Sequence, residues 1–64
     1  MPVVIVELWE GRSVEQKREL VRAITEAMVA YADARRESLQ VILHEVPREN
    51  WGRGGVLGVD RGET

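Results

Sequence analysis

Pro2 is the first residue of the chain that could do chemistry. The chain begins Met1-Pro2-Val3, and an initiator methionine followed by a small residue is commonly removed. Removal would give Pro2 a free secondary amine, and a terminal amine has a reference pKa of about 7.7–8.0 that desolvation or a nearby cation lowers. Such an amine is a usable general base at neutral pH. The alternative, which these residues alone favour, is that Pro2 only opens an edge strand.

The other candidate groups give weaker predictions. The chain has no cysteine and one histidine, His44, so neither a thiolate site nor an all-protein zinc site is predicted. His44 could act as an acid or base, but we interpret it as a partly buried structural residue. Glu7 and Glu45 could be paired carboxylates, or ordinary solvated or arginine-paired side chains. The segment Gly52-Arg53-Gly54-Gly55 lacks the spacing of a phosphate-binding loop and opens no helix.

The secondary-structure elements that must position these groups are predicted to be a strand, a helix and a second strand, in that order. The β-branched run Val3 to Trp9 predicts a strand, and its unbroken apolar start is typical of a strand covered on both faces. A helix is predicted over about 14–32, and a second strand over 39–46. Strand, helix and strand make a β-α-β unit with parallel strands and a right-handed crossover. Residues 51–59 contain four of the six glycines and predict a short hairpin or an irregular arm.

The helix has a clear start and two different faces. Ser13 and Gln16 have the spacing of a capping box. We expect one apolar stripe, which consists of Leu20, Val21, Ala23, Ile24, Ala27, Met28 and Tyr31. We expect the other face to be solvated and to carry Glu15, Lys17, Arg18, Glu19, Arg22 and Glu26, with weak pairs three or four residues apart.

Length and charge limit the classes of protein. Sixty-four residues predict a single domain over 1–64 with a marginal core. One helix leaves one sheet face bare, so we expect at least a dimer. The formal net charge of −2 comes from interspersed charges, which argues against a nucleic-acid partner. The chain has no apolar run long enough for a membrane span and no signal-peptide pattern, so we expect a soluble, cytoplasmic protein.

Several segments, in this order and at these separations, resemble the 4-oxalocrotonate tautomerase family. They are Pro2, then Leu8-Trp9-Glu10-Gly11-Arg12-Ser13 followed by Glu15-Gln16-Lys17, and then Glu45-Val46 leading to Trp51-Gly52-Arg53-Gly54-Gly55. The resemblance covers roughly residues 2–58. It reverses the preference at Pro2, where the catalytic role becomes the favoured one.

The resemblance implies an α+β fold of two layers, sheet and helix, with a short C-terminal hairpin or arm. It implies subunits that pair into dimers and dimers that assemble as a trimer, giving a homohexamer. The implied activity is enol–keto tautomerisation of a small 2-hydroxydienoate or α-keto acid, without metal or cofactor. The Pro2 amine would be the general base, after loss of Met1.

The resemblance also implies roles for three further residues. Arg12 would bind a substrate carboxylate and place a cation near the Pro2 amine; the alternative is an exposed connector residue. Trp51 would form part of the apolar wall around the proline, where the family usually has phenylalanine. Trp9 lies at a pocket-lining position, and we expect it either in the pocket wall or in a hexamer interface.

The chain departs from the family pattern at Gln40. The family's second active-site arginine, contributed by a neighbouring subunit, falls on this neutral residue, which puts a diacid substrate in doubt. Arg53, Arg36 or Arg35 could supply a replacement cation. Dehalogenases of the same superfamily use a glutamate and a further arginine where this chain has Arg53 and Trp9, which argues against dehalogenation. Gln40 also keeps open a non-catalytic alternative, a hexameric ligand-binding or scaffold module.

Overall fold

Two parallel strands and one helix form the body of residues 2–61, the part of the chain that the computed structural model describes. Strand β1 is Val3–Trp9, helix α1 is Val14–Ala32 and strand β2 is Gln40–Val46. β1 and β2 pair in parallel, with Val3 opposite Gln40 and Trp9 opposite Val46. The predicted β-α-β order is therefore confirmed, and β2 begins one residue later than expected.

The ends of α1 follow from local sequence. The Ser13 hydroxyl accepts a hydrogen bond from the Gln16 N–H at 3.1 Å, and the Gln16 side chain accepts one from the Ser13 N–H at 2.9 Å. The predicted capping box is thus confirmed, and it satisfies two N–H groups that the first turn leaves without helical partners. The helix ends at Asp33, which takes a left-handed conformation with φ 54° and donates its N–H to the Met28 carbonyl.

The predicted faces of α1 need corrections on both sides. Tyr31, Ala23 and Ala27 were expected in the apolar stripe, but all three are exposed, Tyr31 to 91%. They lie four residues apart on one side of the helix, whereas the half-buried apolar side chains are Leu20, Val21, Ile24, Met28 and Val29. Lys17 was expected on the solvated face, but it is half-buried and its Nζ lies 2.8 Å from Glu45 Oε1.

Side chains alternate across the sheet, and only one face is covered. Val4, Val6 and Leu8 are less exposed than Val3, Ile5 and Glu7, their neighbours along β1. Because Glu45 reaches α1 and Glu7 belongs to the exposed set, the hypothesis that these carboxylates pair is wrong. The predicted covering of both faces is not seen within residues 2–61.

The exposed side of the sheet, which we call the open face, is largely apolar. Its large side chains are Val3, Ile5 and Ile42, and Ile5 is 60% exposed. His44 Nδ1 lies 2.5 Å from Glu7 Oε1 on the same face, with the histidine side chain 61% exposed. The interpretation of His44 as partly buried is therefore wrong for the single chain. No hydrophobic side chain among residues 2–61 is fully buried.

The glycine-rich segment folds back as a small hairpin, as predicted. Strands β3, Gly52–Arg53, and β4, Val56–Leu57, pair antiparallel. Gly54 and Gly55 form the turn with φ values of 60° and 82°, a combination that a two-residue hairpin turn of this kind requires. Short 3-10 helices over 48–50 and 58–60 flank the hairpin. None of the helices described is long and apolar enough to cross a membrane.

Candidate active site

A cavity of about 330 Å³ lies at the carboxyl end of β1, between the strand and the C-terminal hairpin. Its wall combines two tryptophans and a leucine with six charged side chains. The lining residues are Glu7, Leu8, Trp9, Glu10, Arg12, Arg48, Trp51, Arg53 and Arg61. Four arginines against two glutamates give this wall a formal charge of +2, although the whole chain is negative. The cavity therefore suits an anion with an apolar body.

The two tryptophans form the apolar part of the wall. The rings of Trp9 and Trp51 meet edge to face, with centroids 6.2 Å apart and planes at 87°, a favourable arrangement for aromatic pairs. Trp9 Nε1 is buried and has no hydrogen-bond partner among residues 2–61. Of the two places expected for Trp9, the single chain shows it in the wall of the cavity.

Arg12 reaches the cavity because the connector after β1 turns sharply. Gly11 has a φ of 127°, a conformation that glycine adopts far more readily than other residues. Arg12 Nη1 then donates a hydrogen bond of 3.0 Å to the Trp9 carbonyl. This contact is the alternative role of Arg12, that of a connector residue. It also holds the guanidinium at the cavity, where it could bind a carboxylate.

The structure adds two arginines that sequence reasoning missed. Arg48 follows β2 in the first 3-10 helix, and its guanidinium carbon lies 4.5 Å from the centroid of the Trp9 ring. Arg61 follows the second 3-10 helix and also lines the cavity. The spacing of Arg48 and Arg61 in the sequence does not relate them to Arg12. The folding of the C-terminal segment brings them to the cavity.

Pro2 and Gln40 lie at the other end of the sheet. The Gln40 N–H donates to the Pro2 carbonyl at 3.1 Å, so these two predicted site residues are neighbours. Pro2 and Trp9 are seven residues apart along an extended strand, which separates them by about 23 Å. The expectation that Arg12 places a cation beside Pro2 is therefore not met within one chain. Met1, whose removal the hypothesis for Pro2 requires, lies outside the described residues.

The candidate replacement cations fall in different places. Arg53 lines the cavity, whereas Arg36 forms an ion pair with Glu26 at 2.6 Å. The hydrogen bond and charge of Arg36 lower the pKa of Glu26. Those of Arg22 likewise lower the pKa of Glu19. These shifts belong to exposed ion pairs outside the cavity, so they describe the surface of α1. Within residues 2–61 no cluster of three or more histidine, cysteine or acidic residues could hold a metal ion.

Comparison with known proteins agrees with this fold. The family model described as "Tautomerase enzyme" matches residues 2–61. The chain is 39% identical over 62 residues to 2-hydroxymuconate tautomerase of Comamonas testosteroni, covering 97% of this chain and 98% of that protein.

Solved structures give the same result. A 4-oxalocrotonate tautomerase isozyme from Methylibium petroleiphilum superposes with a TM-score of 0.89 at 42% identity, covering 97% of this chain and 100% of that one. A heterohexameric 4-oxalocrotonate tautomerase from Chloroflexus aurantiacus superposes with a TM-score of 0.87 at 36% identity, covering 95% of this chain and 98% of that one. The chain belongs to the tautomerase family, and it is an enzyme of the 4-oxalocrotonate tautomerase type.

Proposed function

We propose that this enzyme interconverts the enol and keto forms of a small 2-hydroxydienoate or α-keto acid, with Pro2 as general base and Arg12 as carboxylate anchor. The observation that carries the proposal is the cavity itself. It joins Arg12, Trp9 and Trp51 at one place, as the family resemblance requires of an anchor and its apolar wall. A guanidinium is always charged and grips a carboxylate through two parallel hydrogen bonds.

The proposed reaction is a proton transfer in two halves. The neutral amine of Pro2 takes the proton of the 2-hydroxyl group. The electron pair of that O–H bond forms the carbonyl, the conjugated double bonds shift, and a carbon of the chain takes a proton from the prolinium N–H. Atoms and charge balance, and the amine returns to its neutral form. Arg12 stabilises the dienolate by drawing charge toward the carboxylate.

The apolar wall has a second purpose in this proposal. Trp51 and Trp9 exclude water from the space in which the amine and substrate meet. Electrostatic interactions are stronger in such a space than in water, so the contact with Arg12 gains strength. Exclusion of water also favours the neutral form of an amine over its charged form.

The proposed site needs at least two chains. The cavity and Pro2 lie at opposite ends of one sheet, so a single chain cannot bring them together. An antiparallel arrangement of two sheets would place the Pro2 end of one chain beside the cavity end of the other. We propose a homo-oligomer of this kind, of which the homohexamer is the expected form. The heterohexameric relative from Chloroflexus aurantiacus supports the number of six chains.

Gln40 takes a modest part in the proposed site. Its backbone contact with Pro2 puts it beside the amine end of the sheet. In place of the family's arginine, its amide could donate a hydrogen bond to a keto or carboxylate oxygen. A neutral donor contributes roughly half of what a charged one does, so we expect Gln40 to orient the substrate and to add little binding energy.

The test combines an intact-mass measurement with a Pro2→Ala variant. We expect the purified protein to lack Met1 and to convert enols of the 2-hydroxymuconate or phenylenolpyruvate type. Pro2→Ala replaces the secondary amine by a primary one and should lower kcat by about 10²–10⁴-fold, the usual contribution of a positioned acid–base group. Progress is followed by ultraviolet absorbance.

Two outcomes would contradict the proposal. One is a processed protein that is inactive on every such enol. The other is activity that Pro2→Ala leaves unchanged. Either would favour the ligand-binding or scaffold alternative. A preparation that retains Met1 serves as an internal control, because its Pro2 nitrogen is a tertiary amide without a basic lone pair and should give no turnover.

A further inference from the structure

Arg48 is one of the two cavity arginines that sequence reasoning did not assign, and an aromatic ring defines its position. Its guanidinium carbon lies 4.5 Å from the centroid of the Trp9 ring, and the residue is half-buried. A guanidinium over an indole face is attracted by the ring and stacks on it. The contact therefore limits the orientations that the Arg48 side chain adopts.

Gly58, the residue that follows the hairpin, packs closely on the same two residues. Gly58 is buried, and a Cβ at that position would lie 2.8 Å from Trp9 Cζ2 and 3.3 Å from the Arg48 carbonyl oxygen. Its N–H donates to the Trp51 carbonyl at 2.7 Å. Since no side chain would fit there, the glycine lets the end of the hairpin pack directly on Trp9 and Arg48.

Trp9 consequently contacts two guanidinium groups through different atoms. Its carbonyl accepts the hydrogen bond from Arg12, and its ring carries Arg48. Both arginines line the same cavity, whose wall has a net charge of +2. One positioned guanidinium is enough for one carboxylate. Two of them suit a ligand with an anionic group at each end.

We propose that Arg48, positioned by the Trp9 ring, is the second anion-binding residue of this cavity and sets a preference for substrates with two carboxylates. The inference rests on the proposed function, since it concerns the same cavity. It also offers a replacement for the charge that Gln40 does not supply.

Arg48 is favoured over Arg53 for a physical reason. Arg53 belongs to an exposed two-residue strand, whereas Arg48 is half-buried against an aromatic ring. A long side chain loses conformational freedom when it binds a ligand, at about 0.5–1.5 kcal/mol for each immobilised residue. A side chain that is already positioned loses less of this freedom.

Two unreactive ligands that differ in their number of carboxylates test how much the second carboxylate contributes to binding. Both trans,trans-muconate and sorbate are six-carbon conjugated dienes, with two carboxylates and one carboxylate respectively. Their affinities for the full-length protein in its native assembly are measured by titration calorimetry. We expect the protein to bind muconate more tightly than sorbate.

Arg48→Gln should weaken muconate binding about 10-fold to 100-fold, the range for loss of a charge-assisted hydrogen bond, and change sorbate binding less than about threefold. Arg22→Gln is the matched control, because Arg22 pairs with Glu19 on α1, outside the cavity. It should change neither affinity.

A second set of variants tests the positioning role of Trp9. Trp9→Leu keeps the carbonyl that Arg12 contacts and removes the ring under Arg48. It should lower the preference for muconate as far as Arg48→Gln does, and the double variant should lower it no further, because the two residues act as one unit. Trp9→Phe retains an aromatic face and should keep most of the preference. Circular dichroism checks that each variant is folded.

The outcomes distinguish this inference from the proposed function. The role of Arg48 is wrong if the wild type does not prefer muconate, if Arg48→Gln weakens both ligands equally, or if Arg53→Gln alone removes the preference. Turnover of enols is measured on the same samples. A muconate preference that depends on Arg48 in a protein without turnover would overturn the proposed function alone. Turnover with a preference that Arg48→Gln leaves unchanged would overturn this inference alone.

Discussion

Arg12 lies three residues beyond the end of β1 and turns back to it, donating its Nη1 proton to the Trp9 carbonyl at 3.0 Å. That single hydrogen bond fixes where a charged group stands relative to the apolar wall. Trp9 in turn has one buried polar atom, Nε1, that finds no partner in residues 2–61. A buried donor without a partner costs free energy. Trp9 therefore binds the Arg12 guanidinium through its carbonyl, while its own Nε1–H lowers the stability of the fold.

Loss of the Arg12 charge should have a large and specific effect. We expect Arg12→Gln to lower kcat/KM for enol acids by about 10-fold to 100-fold, since a charge-assisted hydrogen bond contributes about 1.5–3 kcal/mol. Steady-state kinetics on one enol substrate measure the change.

Arg18→Gln is the matched control for this prediction. Arg18 is an exposed arginine close to Arg12 in the sequence, and it pairs with Glu15 on the outer face of α1. It should leave kcat/KM unchanged. An equal decrease of kcat/KM in the two variants would show that the net charge of the protein, and not the contact of Arg12 at the cavity, controls activity.

At the residue scale, sequence reasoning found part of the cavity and none of its long-range contacts. Trp9, Arg12, Trp51 and Arg53 were all named, and they line one cavity. Arg48 was not, because a cation over an aromatic ring depends on how β2 ends beside β1, and residue spacing does not encode that. The separation of Arg12 from Pro2 was not predicted for a related reason. A sequence motif gives the order of residues along the chain, but it does not say at which end of a strand each residue lies.

At the element scale, the C-terminal hairpin forms one wall of the cavity, and Gly58 lets it pack directly on Trp9. The existence of β1, α1 and β2 could be read from periodicity and from the Ser13 capping box, because these signals are local. Tyr31 and Lys17 were misplaced because their surroundings depend on which side of α1 packs on the sheet and on the position of Glu45. These are properties of packed elements, and a single helical periodicity does not contain them.

A methyl group at Gly58 should push the hairpin away from Trp9. We expect Gly58→Ala to lower the free energy of unfolding by about 1–3 kcal/mol, the usual cost of overpacking, because the new Cβ would lie 2.8 Å from Trp9 Cζ2. Chemical denaturation followed by far-ultraviolet circular dichroism measures the change.

Gly52→Ala is the comparison for that variant. A Cβ at Gly52 would lie 4.0 Å from its nearest neighbour, the Val56 carbonyl oxygen. It should therefore cost much less than Gly58→Ala. Similar losses at the two positions would mean that flexibility of the hairpin, and not the contact with Trp9, determines the effect.

At the scale of the whole molecule, the open face is the dominant feature. Its apolar side chains lie on a chain of 64 residues in which no hydrophobic side chain of the described part is fully buried. A chain of this size buries only about 60% of its unfolded surface. Folding and association of this chain should therefore be coupled, and its stability should rise with protein concentration.

A charge on the open face should disrupt assembly. Ile5→Glu places a carboxylate where a second chain is expected, and it also forfeits the roughly 1.5–3 kcal/mol that burial of an isoleucine contributes. We expect a smaller oligomer or a monomer by sedimentation velocity, together with a lower melting temperature.

Val14→Glu is the control for the open face. Val14 is 58% exposed, close to the 60% of Ile5, but it lies at the start of α1 and not on the sheet. The same substitution there should leave the assembly intact. If Ile5→Glu kept the mass of the wild-type assembly, the open face would not be the contact surface.

The edge-to-face pair of Trp9 and Trp51 has a spectroscopic consequence. The chain contains two tryptophans, and both line the cavity. Tryptophan fluorescence of the intact protein is therefore emission from the cavity wall, without contribution from any other part of the fold. Entry of a ligand, release of the Arg48 guanidinium from the indole, or displacement of the hairpin would each change that emission, so the protein has a built-in optical reporter of its own site.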